Sequence, residues 1–214
     1  MSRVFEKQEE ETLRQIMRWR RDVRGNRFLA EKLREEDLDA IIEAALLAPS
    51  VGYSQPWRMV MIDDSETREA VLENFRRVNE EAAREFAGSR GDLYSSLKLE
   101  GIQEASHLMA VFYHEGDGPI LGQYSMKEAG PYSVVCAIQN MWLMARARNI
   151  GLGWVSIVDQ LSLSELLGAP PKHKLVALLC LGYVDEFPEE PELKTKGWGS
   201  AKSRDELVFR NKFS

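Results

Sequence analysis

The run PYSVVCAIQNMWLMARARNIG at 131–151 narrows the fold more than any other segment, because it is apolar on nearly every helical face. Such a helix cannot rest with one side in water and reads as the central buried helix of the chain. Pro131 falls in the first turn, where its missing N–H costs nothing, and Gly151 lies near the end. The rest of the chain has to cover this element. Four apolar runs, RMVMI at 58–62, LMAVFYH at 108–114, GLGWVSI at 151–157 and KLVALLCLGYV at 174–184, read as buried strands.

Helical periodicity fills the intervals. Residues 10–21 carry Leu13, Ile16 and Met17 on one stripe, and 35–47 carry Leu38, Ile41, Ile42, Ala45 and Leu46 before Pro49 stops them. A long helix is predicted over 65–86, with Asp63 and Glu66 at capping-box spacing. Its density of charge predicts a solvated or mobile element rather than a core helix. DLYSSLKLEGI at 92–102 is a shorter amphipathic piece, and Ser162 with Glu165 marks a second capping box before SELLG. The polar tail closes with ELVF at 206–209, read as an edge strand. Strands alternating with helices over this length predict one α/β or α+β domain spanning 1–214.

Composition removes several classes of function. The net charge is −6 with scattered basic residues, which argues against nucleic acid as a partner. No window approaches a membrane span, and MSRVFEKQEEETLRQ lacks an apolar signal core, so a reducing cytoplasm is expected. Cys136 and Cys180 both lie in apolar runs and read as buried thiols. Neither they nor His107, His114 and His173 fall at zinc spacing, so no metal site is expected.

Three segments have the right chemistry for a site. RRDVR places Arg20, Arg21 and Arg24 around Asp22 just beyond a helix end. Three planar forks suit a phosphate and exceed what one carboxylate needs, although on composition alone a solvated surface cluster is the commoner outcome. PSVGYSQPW at 49–57 reads either as a tight connection or as Ser50, Ser54 and Gln55 presented to a flat polar ring. Ser156, late in an apolar strand, lacks the elbow and the His partner of a hydrolase nucleophile. The GLG at 151–153 lacks the third glycine of a dinucleotide fingerprint.

In this order, the basic run at 20–24, APSVGY-QPW at 48–57 and the strand GWVSI at 153–157 resemble the flavin-dependent nitroreductase family. SLKLEGI at 96–102, YS-VCA-QN-WL at 132–143, and PEL-KGW with ELVF at 191–209 extend the resemblance to a branch that consumes its flavin. The resemblance implies a mixed sheet flanked by helices in a domain-swapped homodimer, with FMN at the subunit interface. It implies reduced FMN as substrate and O2 as oxidant, giving 5,6-dimethylbenzimidazole and erythrose 4-phosphate. NAD(P)H acting directly and a separate flavin reductase remain alternative sources of electrons.

Carried over by position, Arg20, Arg21, Asp22, Val23 and Arg24 would hold the flavin phosphate and pyrimidine edge, and Ser50, Leu99 and Ser156 would meet the ring. Asp22 and Ser156 would be the catalytic pair, with Asp22 kept ionised by its arginines. The region 65–100 would act as a lid and 185–214 would reach the partner subunit. Asp22 stands where the family usually carries a hydroxyl residue, and Tyr53 where many members carry an asparagine. The tail aligns loosely, leaving open whether Lys202, Arg204 or neither reaches the phosphate. An NAD(P)H-dependent nitroreductase or flavin reductase, and a flavin-storage protein, are the competing readings.

Overall fold

The apolar runs build one sheet in the order β1-β2-β4-β3, from β1 (Trp57–Met61), β2 (His107–His114), β3 (Ile150–Val155) and β4 (His173–Tyr183). The computed structural model describes residues 3–213, so Met1, Ser2 and Ser214 of the expected domain lie outside the described residues. The named strands pair antiparallel throughout. The sheet is therefore antiparallel where a mixed one is expected, and the parallel pairing of Asp22 with Leu152 is an isolated bridge at its edge.

Both faces of the sheet are covered, which explains why β2 and β4 are continuously apolar rather than alternating. Met109, Val111 and Tyr113 of β2 point to one face, where α2 (Glu35–Leu46) and α5 (Ala129–Ala147) supply Ile41, Ala45, Val134, Ile138 and Met141. Leu108, Ala110 and Phe112 point to the other, against Val71, Leu72 and Phe75 of α3 (Ser65–Ala83) and Leu163 of α6 (Gln160–Leu166). A register shift between Val111 and Phe112 interrupts the β2–β4 ladder.

The central helix departs from expectation on one side. Ser133, Val134, Ala137, Ile138, Met141 and Ala145 are buried, but Tyr132, Val135 and Cys136 form an exposed stripe. Cys136 is therefore not the buried thiol expected, whereas Cys180 is, and burial pushes its thiol up to about 12.

Several helix ends also differ. Asp64, not Asp63, caps α3, accepting from the Glu66 and Thr67 amides at 3.0 and 2.9 Å. Asp159, not Ser162, caps α6. ELVF contributes to a short helix, α8 (Arg204–Leu207), in place of an edge strand. Helix α3 buries Val71, Leu72, Asn74 and Phe75 and is a core-facing helix, not a solvated one. Four inward residues at helical spacing outweigh a charged outer face.

Candidate functional site

In this strand order β3 is an edge, with a row of backbone groups available for pairing. The basic run covers that edge. After α1 (Lys7–Trp19) ends, the chain turns extended, and the Val23 amide donates to the Leu152 carbonyl at 3.1 Å. A Cβ on Gly153 would sit 2.2 Å from the Val23 carbonyl oxygen, so only glycine admits this approach. Trp142 of α5 fastens the start of the run, its indole N–H donating to the Arg21 carbonyl at 3.0 Å.

The side chains of the run then take three different jobs. The Trp154 amide donates to Asp22 Oδ1 at 3.0 Å, and Arg24 reaches the Trp154 carbonyl at 3.3 Å while forming an ion pair with Asp22. One residue of β3, through its amide and its carbonyl, thus fixes both members of the pair. Arg20 lies with its guanidinium 4.7 Å from the Trp142 ring centroid, a cation–π geometry. Arg21, only 9% exposed, donates to the carbonyls of Pro188, Arg18 and Arg20 at 2.9, 2.9 and 2.7 Å and also to that of Glu189. It fastens the C-terminal segment, where a phosphate contact was expected. The Val23 side chain is buried in the protein, its amide is engaged with β3, and Val23 is not part of the cavity lining.

Asp22 does not have the electrostatics expected of it. Burial raises its carboxyl above the ordinary value, outweighing the Arg24 guanidinium and the Trp154 amide, which both pull it down. Its side chain retains 31% exposure, so the desolvation comes from crowding by protein rather than from complete closure. The charge of Glu192 adds to the upward shift.

Arg20, Arg21, Asp22 and Arg24 line a cavity together with Leu97, Lys98, Leu99, Pro188, Pro191, Glu192 and Leu193. Leu99 is expected there; Lys98, Pro191 and Glu192 enter the resemblance only as parts of SLKLEGI and PEL-KGW, without a role, and Pro188 lies outside both. Lys98 is held by ion pairs to Glu100 and, at 2.8 Å, to Glu104. The cavity encloses about 170 Å³, below the roughly 300–1,000 Å³ of pockets that bury a whole drug-sized ligand.

Ser156 lies just past the end of β3, two residues beyond Trp154, and is exposed outside the cavity lining. Ser50 is elsewhere, bordering a surface groove with Val51, Tyr132, Ser133 and Cys136, its hydroxyl accepting from the Gln55 amide at 3.0 Å. The loop it opens holds Gly52, Tyr53 and Gln55 at positive φ, and presents Tyr53 at 84% exposure. Lys202 and Arg204 are exposed and are not part of the cavity wall. Among the described residues, no cluster of His, Cys, Asp and Glu has the geometry to hold a metal ion, and no helix is long and apolar enough to cross a membrane.

Residues 17–183 match the model of the nitroreductase family. A protein of Rhodospirillum rubrum named 5,6-dimethylbenzimidazole synthase is 43% identical over 189 residues, covering 87% of this chain and 89% of its own length. A Rhodobacter capsulatus protein of the same name is 38% identical over 196 residues, covering 91% and 94%. Among solved structures, oxidised iodotyrosine deiodinase bound to FMN and 3-iodo-L-tyrosine superposes with a TM-score of 0.72 at 21% identity, covering 94% of this chain and 100% of that one.

Proposed function

The chain belongs to the nitroreductase family, and on that premise we propose that it fragments reduced FMN with O2, yielding 5,6-dimethylbenzimidazole and D-erythrose 4-phosphate. It is a flavin-dependent oxidoreductase. The observation that carries the fragmentation reading is Asp22, fixed by Trp154 and Arg24 at the wall of a basic cavity, in a chain 43% identical to a synthase of that name.

The residues present fit a flavin phosphate. Arg20 is held by stacking, which leaves its planar donor fork for an anion, and Arg24 and Lys98, each paired with carboxylates, stand on the same wall. Reduced flavin supplies the electrons that O2 accepts. In this reading Arg20 and Arg24 bind and orient the phosphate end, and Leu97 and Leu99 exclude water from the ring. Asp22 takes up a proton from the ribityl C1′ carbon, the atom that becomes C2 of the benzimidazole. A carboxylate with raised proton affinity is a better base near neutral pH than an ordinary aspartate. Ser156 orients a ribityl hydroxyl or a water.

A second copy of the chain completes the site. The cavity of one protomer is smaller than the ligand, and Ser50 and Tyr53 lie on a different surface. Tyr132 and Val135 of α5, with Leu46 and Leu47 at the end of α2, offer the apolar face such a homodimer would bury. A cytoplasmic location belongs to the same proposal, as does electron supply by NAD(P)H or by a separate flavin reductase. The test is incubation of the protein with chemically reduced FMN in air, followed by mass spectrometry. Appearance of 5,6-dimethylbenzimidazole supports the proposal; recovery of oxidised FMN alone replaces it with a flavin-recycling reductase.

A further inference from the structure

Two stretches distant in sequence line the same cavity, Leu97–Lys98–Leu99 and Pro191–Glu192–Leu193. Neither belongs to the sheet, so something else must hold them at the right separation. The first stretch follows α4 (Gly88–Ser95), and the Leu97 amide donates to the Tyr94 carbonyl at 3.1 Å. The second opens α7 (Glu192–Thr195), and the Leu193 carbonyl accepts from the Trp198 amide at 2.9 Å. Gly197, at a φ of +75°, allows the chain to fold back for that bond.

Trp198 joins the two. Its ring meets Phe86 edge-on at 5.1 Å and lies 6.0 Å from Tyr94, while Phe86 and Tyr94 stack at 4.9 Å. The Arg90 guanidinium lies 4.0 Å from the Trp198 ring centroid and donates to the Trp198 carbonyl at 3.2 Å. Tyr94 is in turn fixed by donating its hydroxyl to Asn79 of α3 at 2.7 Å. At its other end the segment is tied by Arg21 to the Pro188 and Glu189 carbonyls. The stretch from 188 to 198 is therefore a strap secured at both ends, and its middle is a wall of the cavity.

We propose that Trp198 is a positioning residue that holds the Leu193 wall against the Leu99 wall, and so decides how reduced flavin reacts with O2 in this site. The inference rests on the proposed function. With the walls closed, water is kept from the reacting ring and fragmentation proceeds; reactive centres open to water are diverted to side reactions. With the walls apart, O2 takes two electrons and two protons from the reduced flavin and leaves as H2O2, and intact oxidised FMN remains.

The experiment compares the wild type with Trp198→Ala, Trp198→Phe and Arg90→Ala, each checked for an unchanged thermal transition. Two quantities are read: the rate of FMN release in stopped flow, and the partition of consumed O2 between 5,6-dimethylbenzimidazole and H2O2. Trp198→Ala is expected to release FMN about 10-fold faster, the loss of one aromatic contact of roughly 1.4 kcal/mol, and to shift the partition toward H2O2. Trp198→Phe should restore most of both, and Arg90→Ala should fall between. Wild-type release and wild-type partition in Trp198→Ala would overturn the proposal. Should Trp198→Ala not fold, Arg90→Ala decides by the same two readings. If the wild type makes no benzimidazole, the proposed function fails, whereas the release rates still test the role of Trp198.

Discussion

The Trp154 amide and Asp22 Oδ1 are 3.0 Å apart although 132 residues separate them in the chain. The bond aims the carboxylate, because the Trp154 carbonyl accepts from Arg24, which pairs with the second carboxylate oxygen. Asp22→Asn keeps the shape of the side chain and removes its ability to take a proton. The variant is expected to bind FMN and to form the benzimidazole roughly 10²–10⁴-fold more slowly. Product formation at the wild-type rate would take Asp22 out of the chemistry.

The pH dependence follows from the same residue. Burial raises the Asp22 carboxyl above 3.8, so the free base is lost, and the rate falls, at a pH above the ordinary aspartate range. Glu192 contributes to that rise. In Glu192→Gln the acid limb of the kcat/KM profile should therefore move to lower pH. A shift to higher pH, or none, would show that the two carboxyl groups do not interact.

Arg20 and Arg21 adjoin in sequence and should respond differently. Arg20→Ala removes a cation that stacks on Trp142 and has no carboxylate partner among the described ion pairs, and FMN binding should weaken by about 10- to 100-fold, the worth of a charge-assisted hydrogen bond. Arg21→Ala removes the clamp on the Pro188 and Glu189 carbonyls, so the first change should be a lower Tm and faster proteolysis of the tail. Titration calorimetry and limited digestion separate the two. Equal loss of affinity with equal stability would contradict this division.

Gly153→Ala tests how closely the basic run must lie on β3. The added Cβ would meet backbone, the Val23 carbonyl oxygen, which no rotamer change can relieve. Destabilisation by about 1–3 kcal/mol is expected, together with loss of the Asp22–Trp154 bond and of turnover. Chemical denaturation reads the first and the assay with reduced FMN the second.

Asp37 is a structural counterpart to Asp22. It is 2% exposed, yet its carboxyl is held well below the usual range, first by the Tyr183 hydroxyl at 2.6 Å and then by Arg34 and Arg148. A depressed carboxylate stabilises the fold above its unfolded value near 3.8, and that contribution is lost as pH falls toward the folded value. Asp37→Asn should cost about 3 kcal/mol, the low end for a broken buried pair because Arg34 is 64% exposed. The difference from wild type should shrink in urea melts below pH 3.8; a constant difference would assign the loss to packing alone.

How far the sequence could be read depended on the range of the interactions involved. Strands β2 and β4 stood out because burial on two sides writes long apolar runs. Helix α3 was misjudged because Val71, Leu72 and Phe75 are few beside its charges, and contact with the sheet is what makes them sufficient. RRDVR was recognisable as a site segment, but nothing local separates Arg21 from Arg20. Two of its carbonyl partners are backbone atoms 167 and 168 residues away, and backbone carries no residue-specific signal. Glu192 and Lys98 were hidden for a similar reason, since only the folded chain sets them beside Asp22.

The pairing of residue 22 with residue 154, and of residue 21 with residues 188 and 189, has a consequence for the growing polypeptide. On the ribosome, the arginine run emerges long before the strand edge and the proline-rich stretch that give it shape. Contacts of such separation form late. A nascent chain therefore cannot complete the cavity wall around Asp22 until residues 188–193 have been made.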